Sequence, residues 1–207
     1  MAEDDASDGP GGITRRDFFR SGALGALGSG LLGAGLEAAE APALARSGPG
    51  RVAMTFSVNG RPLQASLEPR VTLLDALRDQ FELTGAKKVC DRGSCGACTV
   101  LLDGRPIYSC SLLAIEAQEG EIRTIEGLGT PDKLHPLQAA FVKNDALQCG
   151  YCTPGFVMAC SAFLAGNPQP TRAQVEQGLC GNLCRCGTYD GIRAAVLEAA
   201  GKAGSRG

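Results

Sequence analysis

The sequence predicts an α+β chain in two folded parts: a small mixed domain over residues 51–129 and an all-helical, four-helix domain over residues 131–203. Three observations carry that prediction. Alternating apolar and polar residues broken by Asn-Gly and Asp-Gly fill the first part, the pattern of hairpins. Capped apolar stretches at helical spacing fill the second. Eight of the ten cysteines fall into two groups, one in each part.

Residues 1–45 form a targeting segment rather than part of either domain. Thr14-Arg15-Arg16-Asp17-Phe18-Phe19 is a twin-arginine pattern, with Arg20 where Lys is usual. A weakly apolar, Gly- and Ala-rich stretch runs from Ala23 to about Leu36. It is shorter than the about 20 apolar residues a membrane span needs, so no stable membrane insertion is expected. Ala43-Leu44-Ala45 offers a cleavage site before Arg46. The expectation is a periplasmic protein exported by the twin-arginine route. That route carries folded proteins, so many cysteines in an exported chain do not here imply disulfides. Metal can be inserted before export, and buried, ligated thiolates resist later oxidation.

In the first domain, Val52 to Val58 alternates as a strand. Asn59-Gly60 is a hairpin turn, and Pro62 to Leu67 is the returning strand. Thr72 caps a helix with Leu73, Leu74 and Leu77 on one side. Thr99 to Leu102 and Pro106 to Ser109 flank Asp103-Gly104 as a second hairpin. Four helices are read in the second domain. Pro136 to Lys143 opens on a first-turn Pro. Pro154 to Ala165 carries Phe156, Val157, Phe163 and Leu164. Thr171 to Gly178 opens on the Thr171/Gln174 capping box. Asp190 to Ala200, capped by Asp190, carries Ile192, Val196 and Leu197. Domains of this size, poor in aromatics and lacking Trp, have thin cores. Bound metal would supply part of their stability.

The first cysteine group is Cys90, Cys95, Cys98 and Cys110. Its C-x4-C-x2-C run and distant fourth Cys have the spacing of a plant-type [2Fe–2S] site. The loop Cys90-Asp-Arg-Gly-Ser-Cys-Gly-Ala-Cys98 is rich in glycine for an electrostatic reason. A cluster on four thiolates is an anion, and reduction makes it more negative; a buried anion must be met by donors. Gly93 and Gly96 let backbone N–H groups turn toward the sulfurs. Cys110, past the hairpin, closes the site from a strand end.

The second group is Cys149, Cys152, Cys184 and Cys186. Both pairs precede helices, whose N-termini favour an anion, and Arg185 adds positive charge. By spacing alone this group fits either a [2Fe–2S] cluster or a structural zinc. Disulfides fit poorly, since near neighbours such as Cys184 and Cys186 would pair under strain. Cys160 and Cys180 are read as small buried apolar residues, and the single histidine, His135, as a helix-entry residue. The net charge of −2 and the absence of a basic stripe argue against nucleic-acid binding. The sequence holds no catalytic triad, acid/base pair or nucleotide-binding glycine fingerprint. Two metal groups without other chemistry describe an electron relay; the different class, a zinc-stabilised binding module, would be colourless.

Three segments resemble one known family: Lys88-Val-Cys-Asp-Arg-Gly-Ser-Cys-Gly-Ala-Cys-Thr-Val100, Gln148-Cys-Gly-Tyr-Cys-Thr-Pro-Gly155 and Gly181-Asn-Leu-Cys-Arg-Cys186. They are similar to the iron–sulfur subunits of the molybdenum hydroxylases, the xanthine oxidase and aldehyde oxidoreductase family, over Met54 to Ala200. Thr124-Ile-Glu-Gly-Leu-Gly129 and the signal segment resemble the periplasmic aldehyde oxidoreductase branch. The resemblance implies a β-grasp ferredoxin-like domain, then a helical domain, each with a [2Fe–2S] cluster. It implies a large partner subunit holding molybdopterin, where substrate is hydroxylated with oxygen from water. Electrons then pass to the helical-domain cluster, to the ferredoxin-like one and often to FAD on a third, medium subunit. The chain alone is not expected to turn over substrate. By the same resemblance Gln148 bonds the pterin edge, and Cys186 links cluster to cofactor. An N-heteroaromatic-ring hydroxylase is the alternative within the family. Two departures stand out. Val89 occupies a position often held by Gly, where a positive φ would strain it. Cys184-Arg-Cys-Gly-Thr-Tyr189 replaces the commoner Cys-Arg-Cys-Thr-Gly-Tyr.

Overall fold

Strand β1 (Val52–Val58) buries Met54, Phe56 and Val58 on one face, as a period of two requires. The computed structural model describes residues 47–203, the side chains of residues 202 and 203 excepted; the targeting segment lies outside the described residues. Asn59 and Gly60 turn with φ of 53° and 72°, and β2 (Arg61–Leu67) returns antiparallel with Val58 opposite Arg61. The Thr72 hydroxyl accepts the Asp75 N–H at 3.1 Å and opens α1 (Leu73–Asp75). Where a single regular helix was expected, α1 widens at once into a π-helical turn, Ala76–Gln80. The chain leaving that turn is tied back onto it. Arg78 donates to the carbonyls of Thr84 and Ala86 at 2.9 and 2.8 Å, and Leu83 N–H bonds Leu77 C=O. Leu73, Leu74, Ala76 and Leu77 are wholly buried in the first core.

The second hairpin, β3 (Thr99–Leu102) and β4 (Arg105–Tyr108), turns on Asp103-Gly104 with φ of 51° and 77°. Between the hairpins lies a strand that periodicity does not reveal, β5 (Glu121–Arg123). It runs parallel to β1 and antiparallel to β3, giving a five-stranded mixed sheet of order β2-β1-β5-β3-β4. Its position is set by side chains as much as by the ladder. Glu121 accepts from the Gly60 N–H and the Ser57 hydroxyl, while Asp103 accepts the Glu121 N–H. A mixed sheet crossed by one helix is the β-grasp arrangement expected.

Four helices follow: α2 (Pro136–Lys143), α3 (Thr153–Gly166), α4 (Arg172–Gly178) and α5 (Tyr189–Ala203). His135 caps α2, its Nδ1 accepting the Leu137 N–H at 3.2 Å, as a helix-entry residue should. Thr171 and Gln174 form the capping box of α4. Helix α5 begins one residue earlier than expected, which places Asp190 in its first turn instead of at its cap. There Asp190 pairs with Arg172, and Arg193 pairs with Glu176, joining α4 to α5. Ile125 and Leu128, read with the first domain, pack against the helical core.

Helix α3 is buried from Gly155 through Cys160. Burial on every side is explained by its neighbours: one side faces the helical core, the other faces β3. Gly155 makes that contact possible. A Cβ there would fall 2.3 Å from the Gly96 carbonyl oxygen and 3.0 Å from Ala97 Cα. The described residues, 47–203, accordingly lie in one compact unit.

Candidate metal centres

The loop after the π-helical turn carries Cys90, Cys95 and Cys98, and a 3-10 turn, Ser109–Ser111, brings Cys110 in from the end of β4. The thiols meet in pairs, Cys90 with Cys95 and Cys98 with Cys110. Backbone donors point at the sulfurs: Gly93 N–H to Cys110 Sγ and Ser94 N–H to Cys90 Sγ, both at 3.3 Å. Gly93 manages this with a φ of 67°, the left-handed conformation that favours glycine. Val89 does not take the positive φ that its position suggested; Asp91 does, at 54°. Val89 is 55 % exposed and unstrained. The left-handed turn is displaced into the loop, onto a residue type that tolerates it.

The second quartet forms at the mouths of α3 and α5. Cys152 is the N-cap residue of α3, and Cys184 and Cys186 lie in the turn leading into α5. Again the thiols pair, Cys152 with Cys184 and Cys149 with Cys186. Cys184 is buried, Cys152 half-buried, and Cys149 and Cys186 exposed. The Thr188 hydroxyl lies 3.1 Å from Cys184 Sγ, and the Tyr189 hydroxyl accepts the Cys184 N–H at 2.9 Å.

Ionisation is uneven across the quartets in the metal-free chain. Burial raises Cys90, yet hydrogen bonds from the Arg92 and Ser94 backbone and from Cys95 bring it down to about 7. Burial likewise raises Cys184, and bonds from Thr188 and Cys152 bring it down to about 7. Burial pushes Cys98 and Cys152 up to about 12. Each site thus offers one ready thiolate and at least one thiol that ionises only on metal binding.

The donor sets fit [2Fe–2S] clusters. A four-coordinate zinc gathers its ligands about one point, whereas the closest thiol contacts here are two by two, Cys98 with Cys110 and Cys152 with Cys184. Two thiol pairs per site suit two bridged irons instead. Beside Cys152 the buried Thr153 hydroxyl has no hydrogen-bond partner, a donor suited to an added acceptor. When bound, such a cluster supplies a one-electron couple. The chain's own cysteines would ligate it, and the N–H and O–H donors around them would meet its charge.

The two sites are joined at the seam between the cores. Leu183 N–H bonds the Cys95 carbonyl at 2.9 Å, so Cys95 and Cys184 are linked by covalent bonds and a single hydrogen bond. The buried Asn182 amide donates to the Gly96 carbonyl at 2.9 Å, and the Tyr108 hydroxyl donates to the Gly181 carbonyl at 2.8 Å. Lys87 sits over the Tyr151 ring, 5.8 Å from its centroid. These seam residues went unnoticed in the sequence; only their adjacency to ligand cysteines hinted at them.

Of the remaining predicted residues, Gln148 is exposed, next to exposed Cys149. Cys160 is wholly buried in the helical core, as expected. Cys180 is not buried. It follows the last turn of α4, where Leu179 takes the inward position.

Fold and quartets together define a [2Fe–2S] protein with a ferredoxin-like domain and a helical one. Residues 56–124 match the family "2Fe-2S iron-sulfur cluster binding domain", and residues 124–197 match "[2Fe-2S] binding domain". The aldehyde oxidoreductase iron-sulfur-binding subunit PaoA of Escherichia coli O157:H7 is 43 % identical over 205 residues, 92 % of this chain and 89 % of the relative. The nicotine 6-hydroxylase small subunit of Paenarthrobacter nicotinovorans is 46 % identical over 156 residues, 75 % of this chain and 94 % of the relative. A chain of quinoline 2-oxidoreductase from Pseudomonas putida 86 superposes with a TM-score of 0.73 at 42 % identity, over 77 % of this chain and 99 % of that one. The chain belongs to the iron–sulfur subunits of the molybdenum hydroxylase family.

Proposed function

We propose that this chain is the electron-transfer subunit of a molybdenum-dependent aldehyde oxidoreductase. It takes electrons from a molybdopterin centre on a large partner subunit, through the second quartet and then the first, to FAD on a medium subunit or to another acceptor. One observation carries this reading: two quartets of paired thiols joined through the Leu183–Cys95 hydrogen bond. The exposed rim of the second quartet, with Gln148, Cys149, Tyr151, Leu183 and Cys186, supports docking of the large subunit there. On this reading Gln148 and Cys186 meet the pterin. An aldehyde substrate is supported by the PaoA relative, whose match reaches 92 % of the chain. Hydroxylation of an N-heteroaromatic ring is the second reading, favoured by the nicotine and quinoline relatives, whose matches reach 75 % and 77 %. The Thr14–Phe19 pattern supports export to the periplasm by the twin-arginine route.

The test is purification of the full chain with whatever co-purifies. About four irons with matching sulfide are expected. Cys90→Ser and Cys149→Ser should each remove one of two electron-paramagnetic-resonance signals. Zinc in place of iron, or two signals surviving either change, sinks the assignment. Turnover of aldehydes against heterocycles by the purified complex separates the two substrate readings. Loss of both subunits from the periplasmic fraction on deleting Arg15 and Arg16 is the outcome expected for export; an unchanged distribution refutes it.

A further inference from the structure

We propose that the Thr188 hydroxyl tunes the second centre: it donates a hydrogen bond to Cys184 Sγ and raises the reduction potential of the couple held there. The inference rests on the cluster assigned above to Cys149, Cys152, Cys184 and Cys186.

Thr188 Oγ1 has two acceptors within reach, Cys184 Sγ at 3.1 Å and the Ala146 carbonyl at 3.3 Å. A hydroxyl has one proton to give. While Cys184 is a thiol, its S–H can donate to Thr188, and the hydroxyl proton goes to Ala146. Ligation to metal removes the thiol proton, and the sulfur then only accepts. Two acceptors compete for one proton. The nearer carries negative charge, and charge-assisted bonds are the stronger kind. The hydroxyl therefore turns from Ala146 to Cys184 when the site is loaded.

Both ends of the contact are fixed. Thr188 immediately precedes α5, and its carbonyl accepts the Ile192 N–H at 3.0 Å; its branched side chain is stiff about χ1. Cys184 is buried, with its N–H on the Tyr189 hydroxyl and its carbonyl accepting the Gly187 N–H. At the first quartet the Gly93 and Ser94 N–H groups reach the sulfurs, and the Ser111 hydroxyl lies farther off, 3.6 Å from Cys110 Sγ. At the second quartet backbone groups of Thr188 and Cys186 also meet Cys184, but the Thr188 hydroxyl is a side-chain donor and so open to substitution.

The redox step transfers one electron from an external reductant and no atoms; the hydroxyl proton stays on Oγ1. The added electron makes the ligand sulfurs more negative. A donor at Cys184 therefore stabilises the reduced form more than the oxidised, and the potential rises.

The experiment is a redox titration of the full chain with its co-purifying partners, followed by electron paramagnetic resonance. The signal lost in Cys149→Ser reports the second quartet. In Thr188→Val, the reduced-to-oxidised ratio of that signal at the wild-type midpoint should fall by about tenfold, which is 59 mV for a one-electron couple. The first-quartet signal should not move, and Thr188→Ser should restore the wild-type value. An unchanged midpoint in Thr188→Val overturns the proposal, as does an equal shift of both signals. If Thr188→Val and Thr188→Ala fail to load iron, the wild-type chain decides. Transfer to D2O should shift the terminal Fe–S stretching bands of the second centre, and bands that stay put overturn the proposal. A wild-type chain without a second signal overturns it together with the cluster assignment, whereas an unmoved midpoint leaves that assignment standing.

Discussion

Cys90 and Cys184 enter metal binding already close to ionised, and that sets a direction for pH. Their folded-state values of about 7 lie below the ordinary 9.0. The stability these thiolates lend the metal-free fold is full above pH 9.0 and is lost as pH falls through about 7. Iron loading needs thiolates and runs the same way. Reconstitution yield, followed by visible absorbance, should therefore drop as pH is lowered through about 7. The two cysteines outside the quartets behave as a contrasting pair. Cys160 is wholly enclosed and its thiol is raised by burial, whereas Cys180 is exposed. Alkylation of the loaded native chain, read by mass spectrometry, should modify Cys180 and spare Cys160 until the protein unfolds. The grouping of the cysteines into two quartets was legible in the sequence because spacing constrains it, and the fold brings each quartet together. The fate of Cys180 was not, because a lone cysteine carries no periodicity to say which way it faces.

Elements with a local chemical signature were read closely. β1 and α2 lie where alternation and the His135-Pro136 entry put them. Thr72 and Thr171 mark helix starts through side-chain oxygens that accept backbone N–H groups. Thr72→Ala should cost about 1 kcal/mol, seen as a lower urea midpoint with unchanged slope. β5 was invisible for a physical reason: three residues with one buried side chain, Ile122, cannot display a period. Its place is dictated by partners remote in sequence, Ser57, Gly60 and Asp103. The π-helical turn escaped for a similar reason, since Arg78 within it bonds carbonyls beyond the helix, at Thr84 and Ala86.

At the scale of the whole molecule, the seam is what makes two small cores one body. Gly155 admits α3 to the Gly96–Ala97 backbone, and Asn182 and Tyr108 tie the 181–184 segment to the first half. The linkage between the metal sites runs through the Leu183 N–H. Proline at 183 has no N–H to give. Leu183→Pro should slow electron equilibration between the two centres after rapid reduction, with both midpoints held, whereas Leu183→Ala should match wild type. Equal rates in all three would show that the bond carries no coupling.

Both atoms of that bond belong to the main chain, yet Leu183 is 53 % exposed. Substitution at position 183 can thus change the outer surface there without removing the bond behind it. Any side chain but that of proline can stand at this outer position with the main-chain link intact.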